Sequence, residues 1–148
     1  MPRVHVVNYN LELALAKIVR FEFELPWVGT EPAVYQAIDG HCIGPTFLGH
    51  LVEHGRVMGF LLQRVEGRHG DFSDLDACQA IVERLHSLGI VHGDFNRHNF
   101  LVSPSDVTLI DFEAGEIDGS RDTMNTELTQ LTEQLNEDGR GGGSMPVP

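Results

Sequence analysis

Hydrophobic and polar positions change their period along this chain, and the changes divide it. From Leu13 to Leu25, "LALAKIVRFEFEL", residues after Lys17 alternate, with Ile18, Arg20, Glu22 and Glu24 on one side and Val19, Phe21 and Phe23 on the other. That period of two predicts a strand, which Pro26 and Gly29 should end. "TEPAVYQAI", residues 30–38, suits a short helix with Thr30 as cap and Pro32 tolerated in the first turn. Two further strands, "TFLGHLV" and "RVMGFLLQRV", flank "EHG", whose glycine fits a hairpin turn. Over residues 74–88 the period becomes helical: Leu75, Cys78, Ile81, Val82, Leu85 and Leu88 share one face, Ser73 and Asp76 resemble a capping box, and Gly89 ends the helix. "FLV" and "VTLIDF", joined by "SPSD", predict two short strands. A last helix from about Asp122 to Glu137 gathers Met124, Leu128, Leu131 and Leu135 on one side, a face expected to serve the core.

The class is therefore α+β, a small antiparallel sheet with one helix followed by a shortened helical part. With 148 residues and 41% hydrophobic content, one domain is expected. We place it at residues 1–138, divided into 1–67 and 68–138, with 139–148 as a flexible tail rich in Gly and Pro. The 10 basic and 22 acidic side chains give a formal charge of −12, which argues against nucleic acid or an anionic membrane as partner. Cys42 and Cys78 have neither disulfide-framework nor metal-finger spacing and read as buried thiols. "LALAKIV" is far too short to span a bilayer and "MPRVHVVNYN" lacks a secretory apolar region, so the cytoplasm or nucleus is the expected compartment.

The chemistry concentrates in "IVHGDFNRHNF", residues 90–100. His92, Asp94 and Asn99 fall between a helix end and a short strand, and twelve residues past Asn99 another strand is expected to deliver Asp111. Oxygen ligands without thiolates suit Mg²⁺ or Mn²⁺ rather than zinc, and an unliganded carboxylate such as Asp94 could orient or deprotonate a hydroxyl. Taken singly, these residues would also serve as turn and capping residues, and His92 as a hydrogen-bonded structural histidine.

"HGDFNRHN" followed by "LIDFE" resembles the catalytic loop and metal-binding segment of the protein-kinase-like superfamily, and the glycine after histidine is more similar to aminoglycoside phosphotransferases and other small atypical kinases than to typical protein kinases. The resemblance runs from about Leu13 to Gly115. It implies a reduced protein-kinase-like fold, Asp94 as catalytic base with His92 bracing its loop, and Asn99 and Asp111 as Mg²⁺ ligands. It further implies Lys17 as the lysine on the nucleotide's phosphates, Glu31 as its partner, and the backbone from Gln63 to Val65 as the hinge that meets adenine. On the residues alone, Lys17 also fits a solvated edge position and Glu31 a first-turn residue favoured by the helix dipole.

Departures from the pattern shape the expectation. No glycine precedes Gly29, so a glycine-rich phosphate cover ahead of Lys17 is absent. Gly93 replaces the arginine that many protein kinases use to sense a phosphorylated loop, Asn96 stands where a lysine is common, and Glu113 replaces the glycine of D-F-G. Only 37 residues follow Asp111, without an A-P-E segment. The resemblance thus implies an ATP- and Mg²⁺-dependent phosphotransferase acting on an unknown hydroxyl acceptor; whether a protein partner completes the nucleotide site is left open by the sequence. The alternative is a pseudokinase that binds nucleotide or a partner without catalysis. A different nucleotide-dependent transfer, or metal-assisted hydrolysis through His92, Asp94 and His98, also fits the residue types.

Overall fold

The computed structural model describes residues 3–10, 12–18 and 30–136. Its first unit is a four-stranded antiparallel sheet in the order β1-β2-β4-β3. Strand β1, Arg3–Tyr9, turns at Asn10 (φ 49°) into β2, Glu12–Ile18, in a register that pairs Val4 with Lys17 and Val6 with Leu15. β3, Phe47–Glu53, and β4, Arg56–Gln63, form the expected hairpin, and His54 and Gly55 both take positive φ, the turn geometry whose twist matches that of paired strands. β2 then pairs with β4, setting Lys17 opposite Phe60. The outer edge of β1 has no neighbouring strand among the described residues.

β1 lies outside the sequence expectation. Its alternation, "VHVVNY", is blurred because Val4 and Val6 stay exposed, and Asn10 rather than glycine makes the turn. The expected strand from Leu13 to Leu25 appears as far as Ile18; its remainder lies outside the described residues.

Helix α1, Thr30–Ile38, packs Val34, Tyr35 and Ile38 against Phe60 and Leu62 on one sheet face. The other face gathers Ala14, Ala16 and Leu61. The same core that holds α1 continues through Phe112 and Leu109 to helix α2, Leu75–Ser87, which contributes Cys78, Ile81, Val82 and Leu85, and to helix α3, Arg121–Asn136, which contributes Leu131 and Leu135. The capping box sits two positions earlier than the spacing suggested: Asp71 and Asp74, not Ser73 and Asp76, exchange backbone bonds around a 3-10 turn at Phe72–Asp74. An arginine explains the shift, since Arg68 holds Asp74 with two hydrogen bonds of 2.8 and 2.9 Å. Cys78 is buried, which pushes its thiol up to about 12, whereas Cys42 is exposed rather than buried.

Short strands frame the remaining loops. β5, Arg68–His69, β7, Phe100–Val102, and β8, Val107–Leu109, form one small sheet; β6, Ile90–Val91, pairs with β9, Glu116–Ile117. Residues 110–112 are not a continuation of β8, a correction to the expected strand "VTLIDF". The chain turns instead, with Asp111 at φ 65°, a left-handed conformation that aspartate tolerates better than most residues. No helix among the described residues is long and apolar enough to cross a membrane.

Candidate active site

The sheet supplies a roof. Lys17 points from β2 to Glu31 in the first turn of α1, and the ammonium donates to the carboxylate at 2.6 Å across a separation of fourteen residues. Both side chains are shielded, 15% and 5% exposed, so neither is an ordinary solvated charge. Burial pushes the Glu31 carboxyl up, Lys17 pulls it back down, and the charges of Asp111 and Glu113 raise it further. Glu113 also reaches Lys17, at 3.7 Å.

Alternation places Leu13 and Leu15 on the strand face that carries Lys17, and the register sets Val6 and Val4 beside them. Val4, Val6 and Leu13 are 57%, 54% and 47% exposed, an open apolar strip next to the ion pair. At its end a groove of about 470 Å³ is lined by Glu12, Leu13, Gln63, Arg64 and Glu66. Gln63 closes β4, with its N–H spent on the Thr46 carbonyl; Val65 follows, half-buried, in the extended stretch before β5.

The floor is the loop after β6. His92 is fully buried and neutral, its pKa pushed down by burial. Its Nε2–H donates to the Ile110 carbonyl at 2.8 Å and its Nδ1 accepts from the Asp94 N–H at 3.2 Å. With both ring nitrogens engaged and the ring stacked on Phe95, His92 can brace the loop but has no free nitrogen to act as a base. The Asn96 side chain caps a 3-10 turn, Arg97–Asn99, by accepting the His98 N–H at 2.9 Å. Asn99 then returns its Nδ2 to the Asp94 carbonyl at 2.8 Å, while its own carbonyl accepts the Ile110 N–H at 2.9 Å. Asp94, Asn99 and Ile110 are thereby tied into one backbone cluster.

Asp111 follows that cluster directly. Its N–H donates to the Tyr35 hydroxyl at 3.1 Å. Tyr35 lies one helical turn from Glu31, so a single face of α1 grips Lys17 at one point and the Asp111 backbone at the next. Burial pushes the Tyr35 phenol well above its ordinary range, so it stays protonated. The charges of Asp111 and Asp94 both bear on His92, and no hydrogen bond or ion pair among the described residues engages either carboxylate.

Two features escaped the sequence reading. Glu127 of α3 is buried, and its carboxylate accepts the His92 N–H at 3.3 Å and the Gly93 N–H at 2.7 Å, while pairing with His86 Nε2 at 2.8 Å. It lies on the apolar side of its helix, between Met124 and Leu131, and a carboxylate in that register is the signal that could have found it. Gly93 has φ 91°, and a Cβ there would stand 2.1 Å from the Ala114 carbonyl oxygen; only glycine lets the two loops meet. The second feature is a histidine pair, His98 and His69, Nδ1 to Nδ1 at 2.6 Å, which fastens the outer side of the loop to β5. Both rings are held below the ordinary histidine pKa, first by burial.

A cation would find oxygen donors here. The Asn99 bond through Nδ2 leaves its Oδ1 uncommitted, and the Asp111 carboxylate is free among the described residues. Hard oxygens of this kind fit a magnesium-type ion. Among the described residues no group of three or more His, Cys, Asp or Glu is arranged to hold a metal, so a cation here would take much of its shell from water and phosphate oxygens.

Comparison with known proteins now fixes the family. Residues 62–141, just over half of the chain, match the lipopolysaccharide kinase (Kdo/WaaP) family. The chain belongs to the Kdo/WaaP kinase family. The matched part of this Kdo/WaaP-family chain contains the whole floor and α3, but begins after Lys17 and Glu31. A probable bifunctional tRNA threonylcarbamoyladenosine biosynthesis protein of Methanothermobacter thermautotrophicus is 35% identical over 65 residues, 42% of this chain and 12% of that protein. Among solved structures, the crystal structure of the yeast RNA Pol II CTD kinase CTDK-1 complex contains a chain that matches with a TM-score of 0.61 at 19% identity, over 80% of this chain and 44% of that one. The chain therefore has a kinase-like fold, and it spans less than half of the matched chain of that complex and a small part of the curated relative.

Proposed function

We propose that this Kdo/WaaP-family chain is an ATP-dependent phosphotransferase that passes a phosphoryl group to an acceptor hydroxyl. The observation that carries the reading is the double grip of α1, in which Glu31 holds Lys17 and Tyr35 holds the Asp111 backbone, aligning roof and floor on one cleft. In this reading residues 1–67 form the roof side of one unit that ends near residue 138. The apolar strip of Val4, Val6 and Leu13 covers the base, with the Gln63–Val65 stretch at its edge. Lys17, fixed by a buried carboxylate, meets the phosphates.

Asp94 accepts the proton of the acceptor hydroxyl as its oxygen attacks the terminal phosphorus; the bond to the bridging oxygen breaks and ADP leaves. Its carboxylate is suited to this because the loop backbone is held from three sides while the acid group itself faces solvent. When bound, a magnesium ion would neutralise phosphate charge, and Asn99 Oδ1 and Asp111 are the residues that would hold it. His92 and Glu127 position the loop.

The outer edge of β1, which has no neighbouring strand among the described residues, favours a second reading for the phosphate side, in which a partner strand completes the cover, and the chain without it binds nucleotide but turns over slowly. Mutation separates the roles. Asp111→Asn is expected to weaken metal-nucleotide binding, whereas Asp94→Asn leaves binding intact and removes turnover. Equal loss of binding in both variants, with folding verified by circular dichroism, would contradict the assignment.

A further inference from the structure

Glu113 is the acid that the reading above leaves without work, and its geometry differs from that of its neighbour Glu31. Both carboxylates address one ammonium. Glu31 sits at 2.6 Å with a side chain 5% exposed, and Glu113 at 3.7 Å with a side chain 40% exposed. Pulling Glu31 away would strand a buried charge, while Glu113 can swing into water at little cost. The backbone around it does not move easily: Phe112 is fully buried, the Gly115 N–H closes a turn on the Phe112 carbonyl at 2.9 Å, and Ala114 is packed against Gly93. Any movement of Glu113 is therefore a side-chain rotation away from Lys17.

We infer that Glu113 is a displaceable latch on Lys17 that weakens the binding of metal-free nucleotide and so sharpens the preference for nucleotide carrying a divalent cation. The inference rests on the phosphotransferase reading. Without a cation, Lys17 is shared by two carboxylates, and the nucleotide's phosphates meet Glu113 as a negative charge competing for the same ammonium. With a cation beside Asn99 and Asp111, the Glu113 carboxylate gains an attractive alternative two residues from Asp111 and turns away, leaving Lys17 to Glu31 and the phosphates. The chain then discriminates between metal-bound and free nucleotide, favouring the former by more than phosphate neutralisation alone supplies.

The test is ATP binding by calorimetry, with and without Mg²⁺, for wild type, Glu113→Gln and Glu113→Gly, each checked for an unchanged melting temperature. The expected result is that both variants bind metal-free ATP about two- to fivefold more tightly than wild type. The gain from adding Mg²⁺ should shrink in both. Variants that match wild type in both conditions, while wild type binds ATP, would overturn the latch alone. Variants that bind metal-free ATP less tightly than wild type would overturn it too, since Glu113 would then be helping the phosphates rather than opposing them. A wild type that binds no ATP in either condition would overturn the phosphotransferase reading and the latch with it.

Discussion

Roof and floor of the cleft are built to different standards. On the floor, the backbone from His92 to Asp111 is held by a buried histidine, two asparagine side chains and a buried glutamate from α3, so the loop is braced by side chains from several elements. The roof has one firm point, the Lys17–Glu31 pair, surrounded by exposed valines and a strand edge with no neighbour among the described residues. Preorganised groups belong where charge develops, because dipoles already in place need no reorganisation during reaction. In the proposed function the exposed valines only cover a base, a task that asks for apolar area and not for fixed dipoles.

That contrast can be broken at several points. The largest effect is expected from Asp94→Asn, which should lower turnover by about 10²- to 10⁴-fold with binding preserved; steady-state ADP release together with ATP titration checks it. Glu127→Ala attacks the floor from behind by leaving two backbone N–H groups and His86 without their acceptor. It should lower unfolding free energy by about 2–3 kcal/mol in chemical denaturation and reduce turnover even in the folded fraction. Lys17→Met tests the roof's one rigid point. It should weaken ATP binding and, by leaving Glu31 buried without its cation, destabilise the chain, though Glu31 can take up a proton and soften the loss.

Smaller effects sharpen the comparison. Val6→Ser should leave stability within about 0.5 kcal/mol of wild type, because the side chain is already exposed, yet weaken ATP binding measurably if the strip covers the base. Acid should act on the floor. His69, His98 and His92 are all held below the ordinary value of 6.5, so the unfolded chain takes up protons first. Stability contributed by these neutral rings is complete above pH 6.5 and declines as pH falls from there through their lowered values. Glu31, raised by burial, works in the opposite sense at lower pH. Melting curves from pH 7.5 to 5.5 should show the decline, and His69→Asn combined with His98→Asn should make it shallower.

The sequence disclosed elements where local pattern and burial agree. The helical periods of α2 and α3 and the capped start of α1 were readable, as was the hairpin turning at His54 and Gly55; that Lys17 and Glu31 meet was implied by the family resemblance, not by local pattern. β1 was not readable because an edge strand that exposes its valines has no burial contrast to reveal it. Asp111 could be located in the sequence, but its left-handed turn depends on Tyr35, seventy-six residues earlier. Glu127 was hidden for the same reason: its meaning lies in two N–H groups on a loop about 35 residues away, and nothing local to α3 distinguishes it from a surface glutamate except its register. Where a residue's role is set by a distant backbone group, periodicity alone cannot carry it.

Whether this cleft binds ATP with a divalent cation and transfers phosphate is decided by calorimetric titration of the wild-type chain with ATP, with and without Mg²⁺, paired with detection of ADP release. Binding is expected to strengthen on adding Mg²⁺, with ADP release that disappears in Asp94→Asn. Absence of ATP binding in both conditions would contradict that function.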